Sequence, residues 1–239
     1  MYITSILSTL LLSSTIVGAV TIPRNLDESH LVLFGEGGRT EVVNKADFFK
    51  KYHQDHPEDV PGPIANGTQE LVDLEKRGCK SYSIITQNPD SKFLNWDVPM
   101  SSVVKAGEKT STVSVTQGYQ IANAIAVSAT ASLTLVESFL SATFGITTTK
   151  TWTSTYAAAY TYTVPEGKYG VVVSNPWTLR KSGHIDIGCI GERGQRVTYQ
   201  SDSYTSQAFD NLAWVSGSIS LCTSSSYPVK NCIGNGYTH

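Results

Sequence analysis

The sequence predicts an all-β protein, an elongated antiparallel β-sandwich with two unusually long Ser/Thr-rich strands and two disulfides. Three observations lead there. From 113 to 135 the odd positions are mostly apolar (Val113, Val115, Tyr119, Ile121, Ile125, Val127, Ala129, Ala131, Leu133, Leu135), and the even ones are small or polar. From 144 to 164 the pattern returns: Phe144, Ile146, Trp152, Tyr156, Tyr160, Tyr162 and Val164 hold even positions, with threonines opposite. Successive side chains of a strand point to opposite faces, so a period of two predicts strands with one apolar and one hydroxyl face. Second, Ser and Thr supply 20 of the 53 residues from 111 to 163, where Glu137 and Lys150 are the only charges; β-branched Thr favours a pleated surface over a helix. Third, shorter strand signals recur between turn residues along the rest of the chain. Each long run passes twenty residues, where ordinary strands hold roughly 5 to 6. The pair predicts either a deeply wrapped sandwich or a hairpin meant for a membrane.

In chain order, residues 1–19 form an apolar, Ser/Thr-dotted stretch ending Val17-Gly18-Ala19, which reads as a secretory signal peptide lacking the usual basic start. It is too short to span a bilayer as a helix. Residues 20–77 differ in composition, with 7 basic and 11 acidic residues and a proline-rich tract from His56 to Pro63. Their one periodic piece, 44–54, predicts a short helix. The segment ends in the dibasic pair Lys76-Arg77, immediately before Gly78-Cys79. This resembles a kexin-type processing site of fungal secretory precursors, so 20–77 reads as a propeptide or a loosely structured acidic arm. Asn66-Gly67-Thr68 is the one N-glycosylation acceptor, placed where a surface loop is expected.

Residues 78–239 are one domain by length. Strands are predicted over 81–86, 111–135, 142–164, 169–174, 184–190, 197–203 and 213–222, with turn chemistry between them and at most one helical turn at 136–141. All four cysteines, Cys79, Cys189, Cys222 and Cys232, lie here. An even count in an oxidising route reads as two disulfides with three connectivities. Cys222 and Cys232 flank the turn Ser226-Tyr227-Pro228, which favours that pair and leaves Cys79 to Cys189.

Catalytic patterns are weak. Nucleophilic catalysis needs a hydroxyl or thiol beside an oriented base; His184 and Asp186 share a strand face, but no Gly-x-Ser-x-Gly elbow accompanies them. The simpler expectation is a strand histidine next to a salt-bridged aspartate. His53-x-x-His56 with Asp55 and Glu58 has metal-like spacing but sits in the acidic arm. No acid pair is singled out for glycoside chemistry, and Gly188-Cys189-Ile190-Gly191 lacks the lysine and helix of a phosphate cradle. The expectation is a protein that is not an enzyme and takes no cofactor or metal. Basic residues number 11 against 9 acidic after residue 77, without a cluster, which argues against a nucleic-acid partner.

Three segments carry a resemblance: Thr163-Val164-Pro165-Glu166-Gly167-Lys168-Tyr169-Gly170 continuing to Pro176, Arg180-Lys181-Ser182-Gly183-His184-Ile185-Asp186-Ile187-Gly188-Cys189-Ile190-Gly191, and Trp214 to Cys222 with Cys232-Ile233-Gly234. They resemble a family of small secreted candidate effectors of filamentous, often plant-pathogenic, fungi. The resemblance implies a virulence-associated protein acting outside the fungal cell on host molecules, and the leading expectation is a monomer that binds a host extracellular protein in the apoplast. A papain-like cysteine protease that it would inhibit, or another means of suppressing plant immunity, fits that expectation. It transfers no catalytic residue. Contact surfaces are expected on connections, at 192–196, 175–182 and 223–231. More loosely, the two alternating runs followed by Val164-Pro165-Glu166-Gly167 are similar to aerolysin-type β-pore-forming modules. A membrane strand needs about 9 to 11 residues, so each run is long enough to cross, and under this alternative the partner is a membrane.

Overall fold

The computed structural model describes residues 26–34, 40–55, 67, 81–189, 194–209 and 212–239. The chain enters through a hairpin of β1 (His30–Phe34) and β2 (Thr40–Asn44), followed by helix α1 (Lys45–Asp55). The helix expected over 44–54 is present, and its start has a local cause. The Asn44 side-chain oxygen accepts from the N–H groups of Ala46 and Asp47 at 2.9 and 3.2 Å, an N-cap. Asp47 adds a negative charge to the first turn.

Four short strands follow: β3 (Ser81–Gln87), β4 (Ser91–Leu94), β5 (Val98–Pro99) and β6 (Val104–Lys105). The two long strands predicted next do not form. The first run is divided among β7 (Ser111–Val115), β8 (Gln120–Ala122), β9 (Ala124–Val127) and a 3-10 turn at Thr130–Ser132. A twelve-residue helix, α2 (Leu133–Phe144), takes its end and the start of the second run. The remainder is β10 (Thr151–Thr153) and β11 (Ala157–Val164). Leu133, Val136 and Leu140 are spaced for a helix face as well as lying in an alternating run, and burial of Val136 and Leu140 selects the helix. Gly145, at φ 66°, ends it by donating to the carbonyls of Leu140 and Ser141.

The long strand lies elsewhere. Expected as separate strands at 169–174 and 184–190, the chain from Tyr169 to Cys189 is one 21-residue strand, β12. After it come β13 (Gln195–Ser203), β14 (Ser206–Phe209), β15 (Leu212–Val215), β16 (Gly217–Ser224), β17 (Val229–Lys230) and β18 (Tyr237–Thr238). The strand expected over 213–222 therefore breaks at Ser216. β12 runs through Pro176 and the Ser182-Gly183 pair because other strands flank both of its edges along most of its length. β16, β5 and β6 flank its first half; β13, β4 and β3 flank its second. Pro176, which has no N–H to offer the ladder, stands opposite Gly217 at the seam between the two sets, and its carbonyl accepts from Asn95 N–H at 2.9 Å. Gly183 faces Tyr199, whose ring covers the place of a missing side chain.

The principal sheet runs β2-β1-β16-β12-β13-β9, with every ladder antiparallel. β7 and β11 form a second layer, whose Val113, Val115, Tyr160, Tyr162 and Val164 meet Val32, Phe34, Val172, Ile219 and Leu221 of the main sheet. This is the two-layer solution by which each sheet hides its apolar face, so the all-β antiparallel expectation holds. A second cluster lies under α2, where Val136 and Leu140 meet Ile125, Val127, Ile185 and Tyr199. A third, Val171, Val173, Cys222 and Val229, fills the opposite face of β12 and β16.

Part of the segment expected as a propeptide or loose arm is built into this frame. β1 lies between β2 and β16, and Leu26, Leu31 and Val32 are fully buried. The Cys222–Cys232 disulfide is closed, with Cα atoms 5.8 Å apart. It is the one disulfide with both ends among the described residues; Cys189 at the end of β12 is not a free thiol. Its expected partner Cys79 lies outside the described residues, as do the signal peptide, Asn66, Lys76 and Arg77. No described helix is long and apolar enough to cross a membrane.

Candidate binding surfaces

Of the turn at 223–231, residues 225–227 are exposed while Val229 is buried in the third cluster, and tertiary structure enlarges the turn into an aromatic tip. β16 leads into the turn, the Cys222–Cys232 bond closes its base, and the β17–β18 hairpin brings the C-terminal residues back beside it. Tyr227 and Tyr237 are 53% and 61% exposed. The Tyr227 ring lies 5.6 Å from that of Tyr169 and 6.1 Å from His239, and the Lys105 ammonium stands 5.3 Å over Tyr169. Of this group only Tyr227 lies in the predicted loop. Tyr169 and Lys105 come from distant parts of the chain, Tyr237 and His239 return through the β17–β18 hairpin ten and twelve residues on, and no local pattern marks them.

Asp97 anchors the tip from below. Its carboxylate accepts from Asn175 Nδ2 at 2.8 Å and from Cys232 N–H at 2.7 Å. Burial is the largest influence on this carboxyl and holds its pKa above the ordinary value despite those donors. Asp97, Cys222 and Cys232 approach one another, but the two sulfurs are spent in the disulfide and offer no thiolate to a metal.

The other two predicted contact regions fare differently. Residues 175–182 are not a connection; they are the middle of β12. There Asn175, Thr178, Arg180 and Lys181 are buried. The Arg180 Nε and Nη2 groups donate to Asp202 at 2.6 and 2.7 Å, with both side chains only 6% exposed. The Arg180 guanidinium also lies 4.7 Å over Phe93. Lys181 donates to Asp90 at 2.6 Å and stands 3.9 Å over the Phe144 ring. The charged side chains of this stretch are thus committed to partners within the chain. Of 192–196, residues 192 and 193 lie outside the described set, and exposed Arg196 is held by Asp186.

That pair answers the His184–Asp186 pattern. Arg196 Nε and Nη2 donate to the two Asp186 oxygens at 2.7 and 2.9 Å, which holds the Asp186 pKa below its ordinary value. His184 Nε2 lies 3.6 Å from the same carboxylate, beyond a good hydrogen bond. The aspartate is salt-bridged, and no hydrogen bond joins His184 to a hydroxyl among the described residues.

A cleft of about 510 Å3 opens between β10 and the β14–β15 hairpin, lined by Thr151, Trp152, Thr153, Ser206, Gln207, Ala208, Ala213 and Trp214. The Trp152 indole N–H donates to Ser206 Oγ at 2.9 Å, and Lys150 stands 4.9 Å over its ring. Trp214 is buried and donates to Ser174 Oγ at 3.0 Å. These tryptophans serve chiefly as anchors, with their N–H groups satisfied internally.

The chain is thus an all-β protein with a disulfide-clamped aromatic tip. Against family models, curated proteins and solved structures, it matches none.

Proposed function

We propose that this chain is a secreted binding protein of the fungal effector kind, which engages a host extracellular protein through the Tyr227–Tyr237 tip. The observation that supports it is the pair of exposed tyrosines held at the end of a β-frame by Cys222–Cys232. Tyrosine gives large contact area at low conformational cost and is enriched where binding energy concentrates. Lys105 and His239 add polar groups at the rim. The partner class is an apoplastic defence protein, with a papain-like cysteine protease the first to test. Inhibition of such a protease should be titrated with the purified chain and with Tyr227→Ala/Tyr237→Ala. A gain of at least tenfold in the inhibition constant is expected for the double variant, as two truncated anchors cost roughly 1.4 kcal/mol or more together. Equal inhibition by both, or none by either, counts against the proposal.

A second reading, as a pore-forming protein, has its own observation. Although neither run forms one long strand, the two are antiparallel partners: Ser111–Val115 pairs with Ala157–Val164, and Gln120–Ala122 with Thr151–Thr153. They form an interrupted hairpin with β9 and α2 between its arms. Its apolar side faces the core and its hydroxyl side carries the Ser114–Thr161 hydrogen bond of 2.7 Å. Insertion would require α2 to unfold into strand and several copies to close a barrel. Dye release from liposomes separates the two, since a binding protein causes none.

A further inference from the structure

Residues 26–34 and 40–55 are tied to the rest of the chain by far more than proximity. β1 occupies the edge of β16, in the register Leu31 to Ser220, Val32 to Ile219, Leu33 to Ser218 and Phe34 to Gly217. Leu26, Leu31, Val32 and Phe34 are buried, and the Phe34 ring meets Tyr160 edge-on at 5.6 Å. The Leu26 carbonyl accepts from Thr163 N–H at 2.8 Å, so the segment also reaches the β7–β11 layer. From α1, Lys45 Nζ donates to the Leu221 carbonyl at 2.8 Å, and the Tyr52 hydroxyl accepts from Leu94 N–H at 3.0 Å while its ring lies against Trp177. Glu28 accepts from Lys168 and Thr223. Removing the segment would strip one edge of β16 of its partner and open the main core at Val32 and Phe34. An uncovered edge of this kind is a template for pairing with other chains.

The dibasic pair Lys76-Arg77 lies after this segment in the chain. We propose that processing there yields a two-chain protein held without a covalent link, in which β1 stays as a strand of the principal sheet with β2 and α1 beside it. The β16 edge is then a strand-binding site and Leu31-Val32-Leu33-Phe34 is its ligand. Main-chain hydrogen bonds supply the affinity, and alternate apolar side chains supply the specificity. The secreted form keeps its sheet edge covered, and the leader segment is a structural subunit rather than a discarded one.

The test uses the full chain with a site-specific protease sequence in place of residues 70–77, so that cutting does not depend on how the natural pair is processed or on what the protein binds. After cutting, gel filtration in native buffer should show the leader fragment eluting with the remainder, and the two should separate only in denaturant. Hydrogen exchange should show β16 amides equally protected before and after the cut. A Val32→Asp chain, or Val32→Ala where aspartate prevents folding, should lose the fragment after cutting and expose β16. A fragment that elutes alone from the cut parent would overturn the proposal. So would retention undiminished by substitution at Val32.

Discussion

Asp202→Asn should destabilise the protein severely, while removing both members of its ion pair should not. Arg180 and Asp202 are direct cross-strand partners on β12 and β13, linked by bonds of 2.6 and 2.7 Å with both side chains 6% exposed. The Gln200 carboxamide also sits 2.9 Å from Nε and Nη2 of the same guanidinium, and the donors there assign its oxygen to that side. Asparagine keeps the shape of aspartate, but it withdraws the negative charge and one acceptor and sets an NH2 group against a cation. Stranding one member of a buried pair costs about 3–5 kcal/mol. At roughly 2–4 °C per kcal/mol for a protein of this size, the melting temperature should fall by about 6–20 °C. Arg180→Met/Asp202→Leu exchanges the pair for apolar side chains of comparable volume, and such exchanges run from near neutral to stabilising. Urea unfolding of the three proteins, with an unchanged slope as the check on a common denatured state, measures both effects. An Asp202→Asn loss under about 1 kcal/mol, or a double variant as unstable as the single one, would refute the view of this pair as a desolvated charge couple.

Other outcomes follow from the same structure. Cys232→Ser opens a loop closed over a separation of 10 residues and should cost up to about 3 kcal/mol by the chain-entropy relation, read by urea unfolding; no loss would show that Asp97 and the β17–β18 hairpin hold the tip alone. Gly217→Val should be strongly destabilising, because a Cβ there collides with the Asn175 carbonyl and Pro176 Cα; thermal melting measures it, and a melting point like the parent's would contradict the close approach of β16 to β12. Asp97 has a folded pKa raised by burial above its ordinary 3.8. Its contribution to stability is therefore fully present below 3.8 and is lost as pH rises through the folded value. The stability of Asp97→Asn relative to the parent should accordingly improve from pH 3 to pH 7, and a relative stability that declines over this interval would contradict the shift.

Several features were legible locally because their causes are local. The helix after Asn44 follows from a capping side chain two and three residues away from the N–H groups it binds. Alternation in Val113 and Val115, and in Tyr160, Tyr162 and Val164, correctly separates the buried face from the hydroxyl face within each short strand. The Cys222–Cys232 bond follows from a turn between nearby cysteines, and the same turn marks 225–227 as surface. The tip as a whole was not legible, since Tyr169 meets Tyr227, and Tyr227 meets His239, only through β12, β16 and the closing hairpin.

Amino-acid pattern alone determined that this chain is built of antiparallel strands with apolar and hydroxyl faces, because the period of two is a property of the backbone at each residue. It did not determine how long any strand runs. Pro176 and Gly183 look like breaks in isolation, yet β12 passes through both, since neighbouring strands supply hydrogen bonds on either side and Tyr199 fills the space at Gly183. Residues 133–144 satisfy two periods at once, and the apolar surface of Ile125, Val127 and Tyr199 decides for the helix. The acidic composition of 20–77 conceals Leu31, Val32 and Phe34, whose place in the core is set by an edge of β16 nearly two hundred residues away. Tertiary structure decided these points because each depends on which surface a segment meets, and that is encoded in its partner as much as in itself.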